Sequence, residues 1–407
     1  MTDQTAILSH RCDKQAVSYT LDDKFPGGNI HVDSVQGDVL RLSPDLRDTM
    51  TPWFYWAFRV TNASGRTLTF VFDAKNMGVH GPAVSVDEGC TWAWLGAGRV
   101  QEGAFSYTFP EQISEVRFSV GMPYVRADWD RFLTGHPDTA EVHKATLART
   151  PEGRDVPLLQ IEHDQKKADF CVALTSRHHA CEMMASYTLE GLVEGILAND
   201  ESGQWLRDHV SFLIAPFMDT DGVERGDQGK NRAPHDHNRD YRGEPIYAEI
   251  KAWKNRVPSW SAGRSLVCVD FHCPALCGPV HESIFFVEPE DRRQAARMDE
   301  LSECLWNAQT TGGLARHPNK LPFGCGFNST SASEKSTNSA WSASLPNTLL
   351  GVSLEVAYAN ASGSEVNAES ARQLGRDFAV ALKDWLGRAQ FQPSNDGARM
   401  ISGELMS

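Results

Sequence analysis

Two hydrophobic periods divide the chain. In the first third, apolar residues recur at every second position. Phe54, Trp56, Phe58 and Val60 alternate with Tyr55, Ala57 and Arg59, and Leu68, Phe70 and Phe72 alternate with Thr67, Thr69 and Val71. Residues 105–109 and 116–120 continue the pattern. A period of two sends successive side chains to opposite faces of a strand. Turn-forming runs, Asn62-Ala63-Ser64-Gly65 and Gly96-Ala97-Gly98, separate the strands. Short strands at this spacing predict an antiparallel β-sandwich. The alternation assigns half of the run Trp53-Phe54-Tyr55-Trp56 to that core, and an exposed member could bind a ligand instead.

Near residue 140 the pattern changes. Apolar runs of strand length fall at 156–161, 170–174, 210–215, 266–271, 283–287 and 349–357. Helical spacing is expected at 182–197, 247–255, 292–306 and 365–387, with a further helix at 128–134. Strands alternating with helices predict an α/β unit, a mixed and largely parallel sheet flanked by helices. The expected division is a β-sandwich over 1–140, the α/β domain over 141–391, and a disordered tail over 392–407. The segment 325–346, rich in Ser, Thr and Asn, is expected to be a long loop and a plausible lid. No internal repeat is present.

Composition narrows the class. A chain of 407 residues exceeds one ordinary core, and 41% hydrophobic with 23% charged residues is a common soluble balance. No apolar run reaches membrane-spanning length, and the first eleven residues hold no apolar stretch of signal-peptide length. Nine scattered cysteines, an odd number, favour reduced thiols in a cytoplasm over a disulfide framework. A net charge of −14 argues against a nucleic-acid or anionic-membrane partner.

The chemistry sits at strand ends. His179-Ala180-Cys181-Glu182 lies between the 170–174 strand and the next helix. An imidazole and a carboxylate three residues apart can converge at a helix entrance, as half of a zinc site that needs a third ligand and an open fourth position. His272 closes another apolar strand. Glu355 is the one charged residue in 349–358. Each alone has an ordinary explanation: a surface His with a Glu favoured by the helix dipole, a hydrogen-bonded core histidine, an outward strand residue. Their occurrence in this order is harder to obtain by accident. Between them lies the polar loop Gly229-Lys230-Asn231-Arg232-Ala233-Pro234-His235-Asp236-His237-Asn238-Arg239-Asp240. Arg232 and Arg239 there could grip a carboxylate bidentately or pair locally with Asp236 and Asp240. Asp270 could orient a zinc histidine or cap the next turn.

These residues resemble the zinc metallocarboxypeptidases, and within them the cytosolic carboxypeptidase-like branch. Phe25-Pro26-Gly27-Gly28-Asn29-Ile30 and Gly121-Met122-Pro123-Tyr124 are similar to that branch's amino-terminal β domain, so the resemblance covers nearly the whole chain. It implies one Zn2+ per chain, held by His179, Glu182 and His272. It implies that Asn238 and Arg239 hold a substrate's terminal carboxylate, that Arg232, or Arg225, polarises the scissile carbonyl, and that Glu355 is the acid/base. The implied substrates are peptide or protein carboxyl termini. Three departures are visible. The usual His-Pro-Gly-Glu is His-Ala-Cys-Glu here. No tyrosine lies between Tyr247 and Tyr358, where digestive members carry a lid tyrosine. Cys273 and Cys277 follow His272, a spacing that could also suggest a second metal site. Two other functions fit the same residues: a zinc amidohydrolase of small N-acyl amino acids, or a catalytically silent binding module. Side-chain preference is not readable. A preference for glutamate, found in part of the branch, needs a cation in the pocket, and Lys335 is the one candidate between Cys325 and Leu354.

Overall fold

The computed structural model describes residues 6–8, 19–136, 141–163, 168–309, 313–330 and 337–390. The tail expected to be disordered, the expected boundary at 140 and Lys335 all lie outside these residues. The first unit is built on two sheets, of six and five strands. Strands Ala57–Thr61 and Glu115–Ser119 lie inside one, and Thr67–Val71 and Ala104–Thr108 inside the other. Alternation along these strands turns Phe58 and Phe118 from one sheet toward Phe70 and Phe105 of the other. The rings meet at centroid distances of 5.1 Å for Phe58–Phe70, 5.3 Å for Phe70–Phe118 and 5.6 Å for Phe105–Phe118. The pairing is antiparallel except where Val39–Ser43 runs parallel to Thr67–Val71.

The second unit carries an eight-stranded mixed sheet. Its order is Val142–Arg149, Asp155–Ile161, Val210–Ala215, Phe170–Ser176, Ser265–His272, Thr348–Glu355, Phe285–Val287 and Lys320–Leu321. The middle four are mutually parallel, and antiparallel strands join on either side. All six strands expected here are present, Val210–Ala215 with the expected ends and the others with shifted ends. The edge strands Val142–Arg149 and Lys320–Leu321 and the short helices Glu201–His209, Thr220–Arg225 and Asn338–Ala343 escaped the sequence pattern. Helices cover both faces. Phe170, Val172 and Leu174 join the core that includes the Met183–Leu197 and Ala368–Gln390 helices, while Cys171 and Ala173 join Ile250, Trp253 and Val257 of Ala248–Ser261. A strand buried on both sides reads as a continuous apolar run.

Helices Met183–Leu197 and Ala368–Gln390 touch backbone to backbone. A Cβ on Gly375 would lie 2.0 Å from the Thr188 carbonyl oxygen, and one on Gly191 would lie 2.0 Å from that of Arg372. Gly375→Ala therefore gains helix propensity, about 1 kcal/mol, but forces two backbones apart. Overpacking of this kind costs about 1–3 kcal/mol and has no flexible side chain to absorb it. The variant is expected to unfold at lower urea concentration than the wild type. An unchanged or raised midpoint would show that the helices can separate freely.

Candidate active site and metal centre

Three adjacent parallel strands deliver the site at their carboxyl ends, the edge where such sheets gather ligands. His179 and Glu182 follow Phe170–Ser176, His272 ends Ser265–His272, and Glu355 ends Thr348–Glu355. Register places His272 directly opposite Glu355.

The turn after Ser176 is held by a buried cation. Arg177 adopts φ 58°, and its guanidinium donates to the carbonyls of Ala180 (3.1 Å from Nε) and Tyr124 (2.7 Å) and to Ser186 Oγ (3.1 Å). These bonds fix the path of His-Ala-Cys-Glu without a proline or a glycine. Both oxygens of buried Glu182 are met by imidazole Nδ1 atoms, Oε1 by His179 at 3.0 Å and Oε2 by His272 at 2.7 Å. The opposite ring nitrogens face acids. His272 Nε2 lies 2.7 Å from Asp270 Oδ2, and His179 Nε2 lies 3.4 Å from Asp236 Oδ1. The Asp270 bond behind the His272 ring favours the tautomer that leaves its Nδ1 free for a metal. Burial raises Asp270 and Asp236, but their histidine neighbours overcome it and hold both below the ordinary carboxylate range.

The donor set fits zinc. Ligand atoms of His179, Glu182 and His272 lie within 4.8 Å of one another, and two imidazoles with one carboxylate leave room for water and substrate. A second cluster, His178 with Asp270 and His272, shares a ligand with the first. Its atoms are occupied by one another: His178 Nδ1 meets Asp270 Oδ1 at 2.9 Å, His178 Nε2 meets Tyr241 Oη at 2.7 Å, and Thr175 Oγ1 donates to Asp270 Oδ1 at 2.7 Å. It is a support for His272. Neither Cys273, buried, nor Cys277, exposed, joins a metal-type cluster among the described residues.

A cavity of about 390 Å³ opens over the ligands. Glu355, Asn238, Arg239 and Lys230 line it, with Trp53, His281, Phe327 and Ser353. Glu355 is 7% exposed, and its Oε2 has no hydrogen-bond partner among the described residues. Burial raises its carboxyl above the usual range; Glu182 adds to this, and His272 and Lys230 oppose it.

Known proteins share this geometry's sequence stretch and its fold. Residues 125–261 match the family model described as zinc carboxypeptidase. Over that stretch the chain is similar to the zinc carboxypeptidases. Cytosolic carboxypeptidase 6 of Caenorhabditis elegans is 25% identical over 282 residues, 61% of this chain and 61% of the relative. Cytosolic carboxypeptidase 2 of Homo sapiens is 30% identical over 143 residues, 33% of this chain and 16% of the relative. The matches thus span about three-fifths or less of these relatives. A crystal structure of a metallo-carboxypeptidase from Burkholderia cenocepacia shares the fold across 91% of this chain and 99% of its own, with a TM-score of 0.73 at 21% identity. The structure from Pseudomonas aeruginosa in complex with (2-guanidinoethylmercapto)succinic acid has a TM-score of 0.74 at 19% identity, over 90% and 99%.

Glu182 lies behind the cavity, bonded to His179 and His272, and five other expected site residues line the space itself. Arg232 does not. Expected to polarise the scissile carbonyl, its buried guanidinium instead meets Asp219 (2.6 Å), Asp227 (2.9 Å) and Asp48 (3.0 Å), and it does not line the cavity. Three carboxylates outcompete an open cleft for a guanidinium with five donors. The alternative, Arg225, pairs with Asp227 and Glu152. Asn238 is buried, with Nδ2 3.1 Å from His272 Nε2 and Oδ1 accepting from Asn338 N at 2.9 Å. Arg239 is exposed, donates to the Asn238 carbonyl at 3.0 Å, and has no carboxylate within salt-bridge reach among the described residues. Sequence reasoning missed Lys230, Asp236 and Arg177. For Lys230 the preceding residue was a signal: Gly229 has φ 76°, and a Cβ there would lie 2.1 Å from Ala180 N. A glycine forced by close approach to the ligand turn marks the loop that enters the site.

No described helix is long and apolar enough to cross a membrane. Of the aromatic run, Phe54, Tyr55 and Trp56 are core, while Trp53 reaches the cavity. The expected loop 325–346 contributes Phe327, Asn328, Thr330, Thr337 and Ser339 to the wall, the last on a short helix.

Proposed function

We propose that the protein is a cytoplasmic zinc carboxypeptidase that hydrolyses the last peptide bond of peptide or protein chains. The observation that carries this is the shared cavity. A His-Glu-His donor set, a buried unpartnered carboxylate and an exposed arginine without an acidic partner all open into one space. Relatives named cytosolic carboxypeptidases support the compartment.

His179, Glu182 and His272 would hold one zinc ion, which supplies Lewis acidity and lowers the pKa of water. Glu355 accepts the proton of the attacking water and returns it to the departing amine. Burial suits it to this exchange, because a carboxylate raised toward neutrality both takes and gives a proton readily. Arg239, assisted by Asn238, grips the terminal carboxylate by charge-assisted hydrogen bonds. That grip restricts cleavage to chain ends.

The test is a peptide supplied as free acid and as carboxyl-terminal amide. The zinc-loaded protein is expected to release the final residue of the free acid and to leave the amide nearly untouched. Equal reaction of both would overturn the exopeptidase reading. Turnover confined to N-acyl amino acids would identify an amidohydrolase.

A further inference from the structure

We propose that Lys230, and not an arginine, stabilises the negative charge that develops on the scissile carbonyl oxygen. The inference rests on the carboxypeptidase reading above and names a catalytic residue within it. Two anionic groups must be met in such a reaction: the terminal carboxylate and the carbonyl oxygen as water adds. Arg239 serves the first. Among the described residues lining the cavity, Lys230 is the other fixed cation, since Arg232 and Arg225 are bound to carboxylates elsewhere. Lys230 Nζ sits 2.6 Å from Glu182 Oε1, inside the metal centre. Glu355 is the next carboxylate after Glu182 to act on its charge, and both Lys230 and Glu355 line the cavity.

The lysine is held by the amino-terminal domain. Its Nζ lies 5.4 Å from the Trp53 ring centroid, and Trp53 is itself fixed by donating from Nε1 to Cys181 Sγ at 3.2 Å. Asp48 accepts from Gln228 N (2.9 Å) and Gly229 N (2.8 Å), pinning the loop just before Lys230. The Arg232 Nε bond to the same Asp48 pins it just after. Arg232 thus positions the loop whose lysine takes the role sequence gave to Arg232. A preorganised donor aimed at a developing oxyanion in a water-poor site is among the strongest catalytic devices.

The experiment compares wild type, Lys230→Met and Lys230→Arg in zinc content, steady-state kinetics on a free-acid peptide, and calorimetric binding of a peptide phosphonate, whose tetrahedral oxygens copy the charged carbonyl. Lys230→Met is expected to lower kcat/KM about 100- to 1,000-fold, chiefly in kcat. It should lose phosphonate affinity in parallel, keep full zinc, and be largely rescued in both respects by Lys230→Arg. An active wild type with an equally active Lys230→Met overturns the proposal and spares the carboxypeptidase reading. Loss of zinc in Lys230→Met also overturns it, because the lysine would then only support Glu182. A wild type inert on every peptide removes the carboxypeptidase reading itself, and the proposal with it.

Discussion

Glu355→Gln is expected to abolish peptide turnover while zinc stays bound. Glutamine keeps the shape of the side chain and its place opposite His272 but cannot accept a proton. Positioned general acid–base groups contribute about 100- to 10,000-fold, which corresponds to about 3–5 kcal/mol of barrier. Because Glu355 acts in both halves of the reaction, the loss should lie toward the upper end. Zinc should remain, since Glu355 stands outside the His179, Glu182 and His272 donor set. The check is kcat on a free-acid peptide with metal analysis of the same sample. Near-normal turnover would reject the acid/base role, and loss of zinc would place Glu355 among the ligands.

Arg239→Ala is expected to cost nearly as much as removing its partner from the substrate. Arg239 is exposed in the free protein, so the pair is desolvated by the bound substrate; deleting one member of such a pair costs about 2–5 kcal/mol, because the other member is left desolvated. That is a rate loss of about thirty-fold or more. Amidating the peptide should impose a similar loss on the wild type. The two changes remove one contact, so they should not multiply, and a cycle of four rates measures the coupling. Full multiplication would show that Arg239 and the carboxylate act separately.

The architecture was largely legible from hydrophobic period alone. Leu68 and Phe70 alternate with Thr67 and Thr69 because their strand is buried on one side only, while 170–174 is apolar throughout because helices cover both faces. The edge strand Val142–Arg149, mostly exposed, gave no such signal. The short helix Asn338–Ala343 hides in a run of Ser, Thr and Asn, residues whose preference is for turns and caps. Among candidate site residues, strand ends pointed to His272 and Glu355, since a charge or imidazole closing an apolar run is conspicuous. Arg232 lies away from the cavity for a reason the sequence does not display. Residue type named a suitable donor at Arg232, but its direction is set by acids distant in sequence. Asp48 is contributed by the other domain, and nothing local ties it to Arg232. Asp236 was visible only as a possible local partner of Arg232, whereas it faces His179 across the fold.

Zinc stoichiometry after exhaustive dialysis, measured for the wild type and for His179→Ala, tests the central claim most directly. In the proposed site His179 is one of three protein ligands, and its Nδ1 lies 3.0 Å from Glu182 Oε1. One zinc per wild-type chain and little or none in His179→Ala is the expected result. A full equivalent of zinc retained by His179→Ala would contradict it.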